Sequence, residues 1–189
     1  MKTDENIQSL NDEELVSKIS TSNNTLLFGV LYDRYSTVVY NKCLSFARDT
    51  DEAQDLMQDV FLKLFVKLGS FQGKSKFSTW LYAFTYNHCV NFVTRDTAKK
   101  MEKKSISIED DNTLYIEVDD SSLFQLRVDK LRKALDIIPP DDKMILLLKY
   151  QDDASIKEIA SSLSLGESAV KMRLKRAKAQ VVQICNKID

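Results

Sequence analysis

The chain has 189 residues, 43% of them hydrophobic and 29% charged, with a formal net charge of −1. That composition suits a soluble globular protein of one domain or two small ones. It excludes a membrane span, for which about eighteen consecutive apolar residues are needed, and the polar, acidic start MKTDENIQSLNDEE is no signal peptide. Three cysteines lie far apart with no metal-ligand spacing, so a reduced cytoplasm with buried thiols is the expected setting. Only four Gly and two Pro are present, which favours helices over a strand-and-turn architecture.

In chain order, LNDEELVSKIS predicts a first helix, with Asn11 or Asp12 as N-cap and acids in its first turn. A second helix follows in NNTLLFGVLYDRYSTVVYNKCLSFARD, where Leu27, Leu31, Tyr35, Val39 and Leu44 recur at helical spacing. A third runs through DEAQDLMQDVFLKLFVKL to a stop at Gly69, with Ala53, Leu56, Met57, Val60, Phe61 and Leu64 on one face. Asp55, Gln58, Asp59 and Leu62 fall on the opposite, polar face. One apolar residue there suits a protein-docking surface, although acids near a helix start also serve the dipole alone.

The loop SFQGKSKF leads to a fourth helix expected from about Ser78 to Arg95. Between Phe71 and Arg95 stand seven of the seventeen aromatic residues, three basic residues and no acid. Aromatics in a small helical domain are usually core. Seven exceed what one helix face buries, and aromatics beside cations are how single-stranded nucleic acid is held. His88 and Cys89 are adjacent, so on a helix they point apart and form no nucleophile pair.

From 97 to 126 the periodicity fades into blocks of charge, four basic and seven acidic residues. This reads as a flexible linker with a transient strand around TLYIEV. Beyond it, QLRVDKLRKALDII, DDKMILLLKYQ, SIKEIASSL and SAVKMRLKRAKAQVVQIC predict four helices, the second opened by Pro139-Pro140. Ser155 and Glu158 form a capping box. The last two helices, joined by a short turn, read as a helix-turn-helix. Residues 127–189 carry 13 basic and 9 acidic side chains, and the excess lies within 167–180. Its basic residues are Lys171, Arg173, Lys175, Arg176 and Lys178, opposite Ala169, Val170, Leu174, Ala177 and Val181. The N-terminal part of such a helix offers Lys171 to base edges, with Arg176 and Lys178 reaching phosphates.

The expected fold is therefore all-α: two small helical domains (1–96 and 127–189) joined by a flexible linker (97–126). The combination DLMQDVF, FQGKSKFSTWLY, IPP and AVKMRLKRAK resembles bacterial sigma factors of the extracytoplasmic-function (ECF) group, over nearly the whole chain. The resemblance implies a promoter-specificity subunit, not an enzyme, with no cofactor or metal. It implies that Asp55, Gln58, Asp59 and Leu62 dock on the clamp helices of the polymerase largest subunit, with a further contact at the flap. It implies capture of a flipped-out −10 base by the loop from Ser70 to Phe77. Phe71, Lys74, Ser75, Lys76, Phe77, Tyr82 and Asn87 are the residues for that element. Trp80 either joins them or packs between helices. The −35 duplex falls to Glu167, Ser168, Lys171, Met172, Arg173, Lys175 and Arg176. An anti-sigma factor is an expected partner.

This chain departs from the family pattern in places. Ser164 stands where Gly is common, Gly166 where Ser or Pro often caps, and Met172 replaces a frequent Ser. Ala83 and Phe84 occupy the places of the tryptophan wedge of housekeeping sigma factors. The residues also admit a stand-alone helix-turn-helix regulator, or a helical adaptor with no role on DNA. Co-purification with core polymerase separates the first reading from both.

Overall fold

A computed structural model describes residues 9–101 and 128–188, with side chains for 9–96 and 128–188. Among these residues there are eight α-helices and no strand. The chain packs as two compact units, Met1–Cys89 and Val90–Asp189, the division falling within the fourth helix.

In the first unit α1 spans Asp12–Ser22. Asn11 caps it, accepting from Glu14 N–H at 2.8 Å, while the Glu14 carboxylate accepts from Asn11 N–H at 3.2 Å. That reciprocal pair satisfies two otherwise orphaned donors. Helix α2 (Thr25–Leu44) is capped by Asn24 and α3 (Thr50–Lys67) by Asp49. Phe28 at the start of α2 meets Phe65 at the end of α3, and Tyr32 meets Phe61, so the two helices run antiparallel. Leu31 and Val39 of α2 and Ala53, Val60 and Leu64 of α3 are completely buried. Each Val or Leu side chain among them contributes about 1.5–3 kcal/mol by leaving water.

A single 3₁₀ turn, Leu68–Ser70, ends α3. The loop then bends at Gly73, whose φ of 66° lies in the left-handed region that a Cβ disfavours. Helix α4 (Phe77–Met101) begins one residue earlier than expected and runs six residues further. Ala98, Lys99, Lys100 and Met101 are good helix formers, so the helix propagates past the last apolar stripe into sequence expected to be linker. The rest of that linker, with the strand expected around TLYIEV, lies outside the described residues.

The second unit is a four-helix assembly, α5 (Val128–Ile137), α6 (Pro140–Leu146), α7 (Ile156–Leu163) and α8 (Glu167–Lys187). Pro140 takes the first position of α6, where the missing N–H costs nothing. Helix α6 widens into a π turn, Leu147–Gln151. The Ser155–Glu158 capping box opens α7, and Ser164 closes it at φ 54°, the left-handed position where glycine is the usual choice. Three residues, 164–166, then lead into α8, which Gly166 precedes without any side-chain cap. Val170, Leu174, Ala177 and Val181 of α8 are buried as expected; Ala169, expected among them, is exposed.

Candidate nucleic-acid interface

The helix-turn-helix presents the first two turns of α8 to solvent. Glu167, Ser168, Lys171 and Met172 are all exposed, Met172 at 69%. Residues 168, 171, 172 and 175 share one helix face by the 3.6-residue repeat. Lys175, on that face, and Arg173, beside it, are half-buried.

Arg176 behaves differently from the sequence expectation. Its guanidinium forks onto Asp142, with Nη2–Oδ1 at 2.6 Å and Nε–Oδ2 at 3.2 Å. The Asp142 side chain is 1% exposed, that of Arg176 41%. Asp142 belongs to the first turn of α6, where helix N–H groups also favour a negative charge. Arg176 is thus engaged in neutralising a carboxylate inside the unit while part of its guanidinium still faces solvent.

On the first unit, the loop and the start of α4 bring three of the expected −10 residues into one cluster. Phe71 lies 5.4 Å from Phe77 and 5.5 Å from Trp80, ring centre to ring centre, and Trp80 stacks on Phe84 at 5.5 Å. Phe77 is completely buried, edge-on to Tyr35 of α2 at 5.7 Å. Its ring supports the loop from below and is not on the surface, a correction to its expected contact with a base. Trp80 packs against Phe71, Phe77 and Phe84 and still keeps part of its surface in solvent. Asn87 lies on the same face of α4 as Trp80 and Phe84, seven and three residues on. Lys74 and Lys76 are exposed and Ser75 half-buried in the loop.

Tyr82 stands apart from that cluster. Two residues from Trp80, it points to the other side of α4, toward α2. There the Lys42 ammonium sits 3.9 Å above its ring and donates to Tyr86 Oη at 3.1 Å. Lys42 is 2% exposed and Tyr86 is fully buried. Two aromatic faces and a phenolic oxygen replace water around this buried cation. Sequence reading missed Lys42, because nothing along the chain distinguishes an inward lysine. It also missed Glu13, whose carboxylate accepts from the Phe77 N–H at 3.2 Å and caps α4 from α1.

The polar face of α3 is on the surface: Asp55, Gln58, Asp59 and Leu62 are exposed, Leu62 at 69%. Val66, one turn on, is exposed at 79% and continues the apolar edge; its i+4 spacing from Leu62 was the signal that could have found it. His88 borders this face, with Nε2 3.8 Å from Asp59 Oδ2 and Nδ1 3.2 Å from Lys63 Nζ. Cys89 points inward instead, its Sγ 3.8 Å from that of Cys43. A hydrogen bond with Cys43, then burial, pushes the Cys89 thiol above its ordinary pKa.

Comparison with known proteins finds matches for both units. Residues 31–99 match the family model for Sigma-70 region 2, and residues 129–181 that for Sigma-70, region 4. The chain is 23% identical over 158 residues to the ECF RNA polymerase sigma factor SigW of Bacillus subtilis, covering 80% of this chain and 84% of that protein. It is 25% identical over 182 residues to the ECF RNA polymerase sigma-E factor of Escherichia coli, covering 92% and 94%. Among solved structures, RpoE of Bartonella quintana, in complex with the anti-sigma factor NepR, superposes with a TM-score of 0.59 at 20% identity, covering 86% of this chain and 98% of that one. CnrH, in complex with the cytosolic domain of CnrY, gives 0.55 at 20% identity, covering 93% and 97%.

Two helical units, the second a helix-turn-helix, together with these matches define a promoter-recognition protein of the transcription initiation machinery. The chain belongs to the sigma-70 family, in its extracytoplasmic-function group. It serves as a promoter-specificity subunit of bacterial RNA polymerase, a subunit of initiation. Among the described residues, no helix is long and apolar enough to cross a membrane.

Proposed function

We propose that the chain divides its promoter work among three surfaces, performs no catalysis itself, and acts in the cytoplasm beside the polymerase. The exposed face of α3, with Asp55, Gln58, Asp59 and Leu62, docks on the clamp helices. The loop, with Phe71, Lys74, Ser75, Lys76 and the exposed part of Trp80, holds an extruded base of the −10 strand, and Asn87 contacts the neighbouring nucleotide. The N-terminal turns of α8 read the −35 duplex through Glu167, Ser168, Lys171 and Met172, with Arg173 and Lys175 on flanking phosphates. An apolar hollow of about 280 Å³, lined by Leu131, Leu135 and Leu147 among others, suits the flap contact of the second unit.

The observation that carries this reading is the presence of two chemically different exposed features in one chain. One is a helix-turn-helix shaped for duplex, the other an aromatic ledge flanked by exposed lysines and suited to single strand. Strand opening costs on the order of 1.4 kcal/mol per stacked base step. One base held on an aromatic face returns about 1–3 kcal/mol. A single captured base offsets only a step or two, so the chain opens DNA well only when polymerase contacts add to it. An anti-sigma factor that covers the docking and DNA faces would hold the chain inactive. The neighbours RpoE and CnrH, each solved with a bound partner, support that expectation.

Run-off transcription with core polymerase on a genomic promoter library tests the reading. Start sites downstream of a shared pair of elements are expected. A palindromic footprint formed without polymerase, and no run-off product, would favour a stand-alone regulator instead.

A further inference from the structure

Asp59 and Lys63 stand one helical turn apart on α3, acid before base, the order in which an ion pair along a helix closes most readily. Among the described residues that pair is not made. The Lys63 ammonium turns instead to the ring of His88 on α4, with Nζ 3.2 Å from Nδ1. An ammonium only donates, so Nδ1 is the acceptor and the neutral ring carries its proton on Nε2. Nε2 faces the Asp59 carboxylate at 3.8 Å, beyond hydrogen-bond length. The His88 side chain is 13% exposed and that of Asp59 59%. The imidazole is thus a wedge between a lysine that it holds and a carboxylate that stays in water.

We infer that His88 is a positioning residue for polymerase docking: its neutral ring draws Lys63 away from Asp59 and keeps that carboxylate available to a basic partner surface. The inference rests on the proposed docking of α3 and adds to it what keeps the docking face acidic. Asp55 and Asp59 are both exposed, one turn apart, so the surface that complements them is cationic. A lysine folded back onto Asp59 would answer one of those charges from within the helix. Protonation of the ring undoes the arrangement. A proton on Nδ1 turns the acceptor into a donor, and an imidazolium repels the ammonium that the neutral ring held. The charged groups that face the ring from α3 are Asp59 and Lys63. On α4 the residues one turn to either side, Phe84, Thr85, Asn91 and Phe92, carry no charge. In acid, Lys63 is released beside Asp59 and the imidazolium offsets the same carboxylate, so both changes make the docking face less negative.

The test is binding of core polymerase to the full chain, labelled at its N-terminus and followed by fluorescence anisotropy. His88→Leu removes the acceptor and is expected to weaken association about two- to fivefold, the worth of one exposed charge pair. Adding Lys63→Met to that variant is expected to restore the affinity, because no ammonium remains to fold onto Asp59. His88→Asn keeps an oxygen near the place of Nδ1 and cannot titrate, so it is expected to bind as wild type above the imidazole range. The ratio of wild-type to His88→Asn affinity, in which the titration of polymerase itself cancels, is expected to fall as pH drops through that range. A folded His88→Leu chain with wild-type affinity would overturn the inference, as would a loss that Lys63→Met fails to rescue or a ratio that does not change with pH. Unchanged association of an Asp59→Asn chain would instead overturn the docking of Asp59 itself, and the inference with it.

Discussion

Arg176 of the recognition helix closes a forked ion pair on Asp142, at 2.6 and 3.2 Å, and so ties α8 to the first turn of α6. The pair matters because only one partner reaches water. A carboxylate at 1% exposure pays heavily for isolation, while the guanidinium rim remains wet. The orientation of the DNA-reading helix thus depends on a residue that looks, in sequence, like one more phosphate contact.

Arg176→Ala is therefore expected to destabilise the second unit by about 3–5 kcal/mol, the usual cost of stranding one member of a buried pair. Urea denaturation followed by far-UV circular dichroism checks this. Replacing both members, Arg176→Met with Asp142→Leu, is expected to recover most of the loss. An Arg176→Ala chain as stable as wild type would show that the ion pair holds nothing.

Lys171→Ala is expected to act on DNA and not on the fold, since Lys171 is exposed on the face that presents Ser168 and Met172. The plot of log affinity against log salt for a −35 duplex should lose about 0.9 from its slope if Lys171 meets one phosphate. If Lys171 reads a base edge instead, the slope stays and preference at one −35 position relaxes. Fluorescence anisotropy over a salt series distinguishes the two.

Asp55→Arg and Gln58→Ala are expected to weaken association with core polymerase while leaving the melting temperature within a degree or two of wild type. Both side chains are exposed on α3, so neither supports the core. Val66→Asp is expected to weaken the same association, through the apolar edge that Leu62 begins. Normal holoenzyme assembly by these folded variants would remove α3 from the docking surface.

Asn87→Ala is expected to impair use of the −10 element, read as permanganate reactivity of the opened strand, with −35 duplex affinity unchanged. Equal losses in both assays would assign Asn87 to the fold.

Alkaline stability carries its own signature. The Tyr35 phenol donates to Asp12, and burial first, then that bond, pushes its pKa well above the ordinary 10.0. The Cys89 thiol is likewise raised from 9.0. Above these ordinary values the unfolded chain has lost its protons while the folded chain keeps them. Stability is therefore fully present below about pH 9 and falls as pH rises, by up to about 1.4 kcal/mol per pH unit for each group. Denaturation series across the alkaline range should show Tyr35→Phe and Cys89→Ala with shallower slopes than wild type. Unchanged slopes would mean that neither group keeps its proton through folding.

Much of the architecture is legible from local signals. Asn11 with Glu14 and Ser155 with Glu158 mark helix starts because capping is settled within three residues of chain. The apolar stripes of α3 and α8 follow from periodicity, and Ala169 slips out of its stripe only because it lies at the edge of the arc. The exposed face of α3 could be read because an amphipathic helix has two sides and the apolar one was plain. By contrast, α4 outran its expected end, because helix propagation needs no buried partner once begun.

The candidate site was legible in composition and illegible in arrangement. An aromatic stretch without acids is a fact of sequence, and so is the basic edge of α8. Which ring is floor and which is ledge depends on α2: Phe77 and Tyr82 are claimed by Tyr35 and Lys42, forty residues away or nearly so. The stretch that carries no acid receives one from α1, where Glu13 caps its first helical N–H. The basic edge gives one of its arginines to Asp142, thirty-four residues upstream. Helix periods, caps and charge blocks are properties of neighbours along the chain, so sequence determined the helices and their polar faces. The pairing of a particular charge or ring with a distant one costs chain entropy that only the packed core recovers. For that reason the tertiary structure alone decided which basic and aromatic residues remain available to polymerase and promoter.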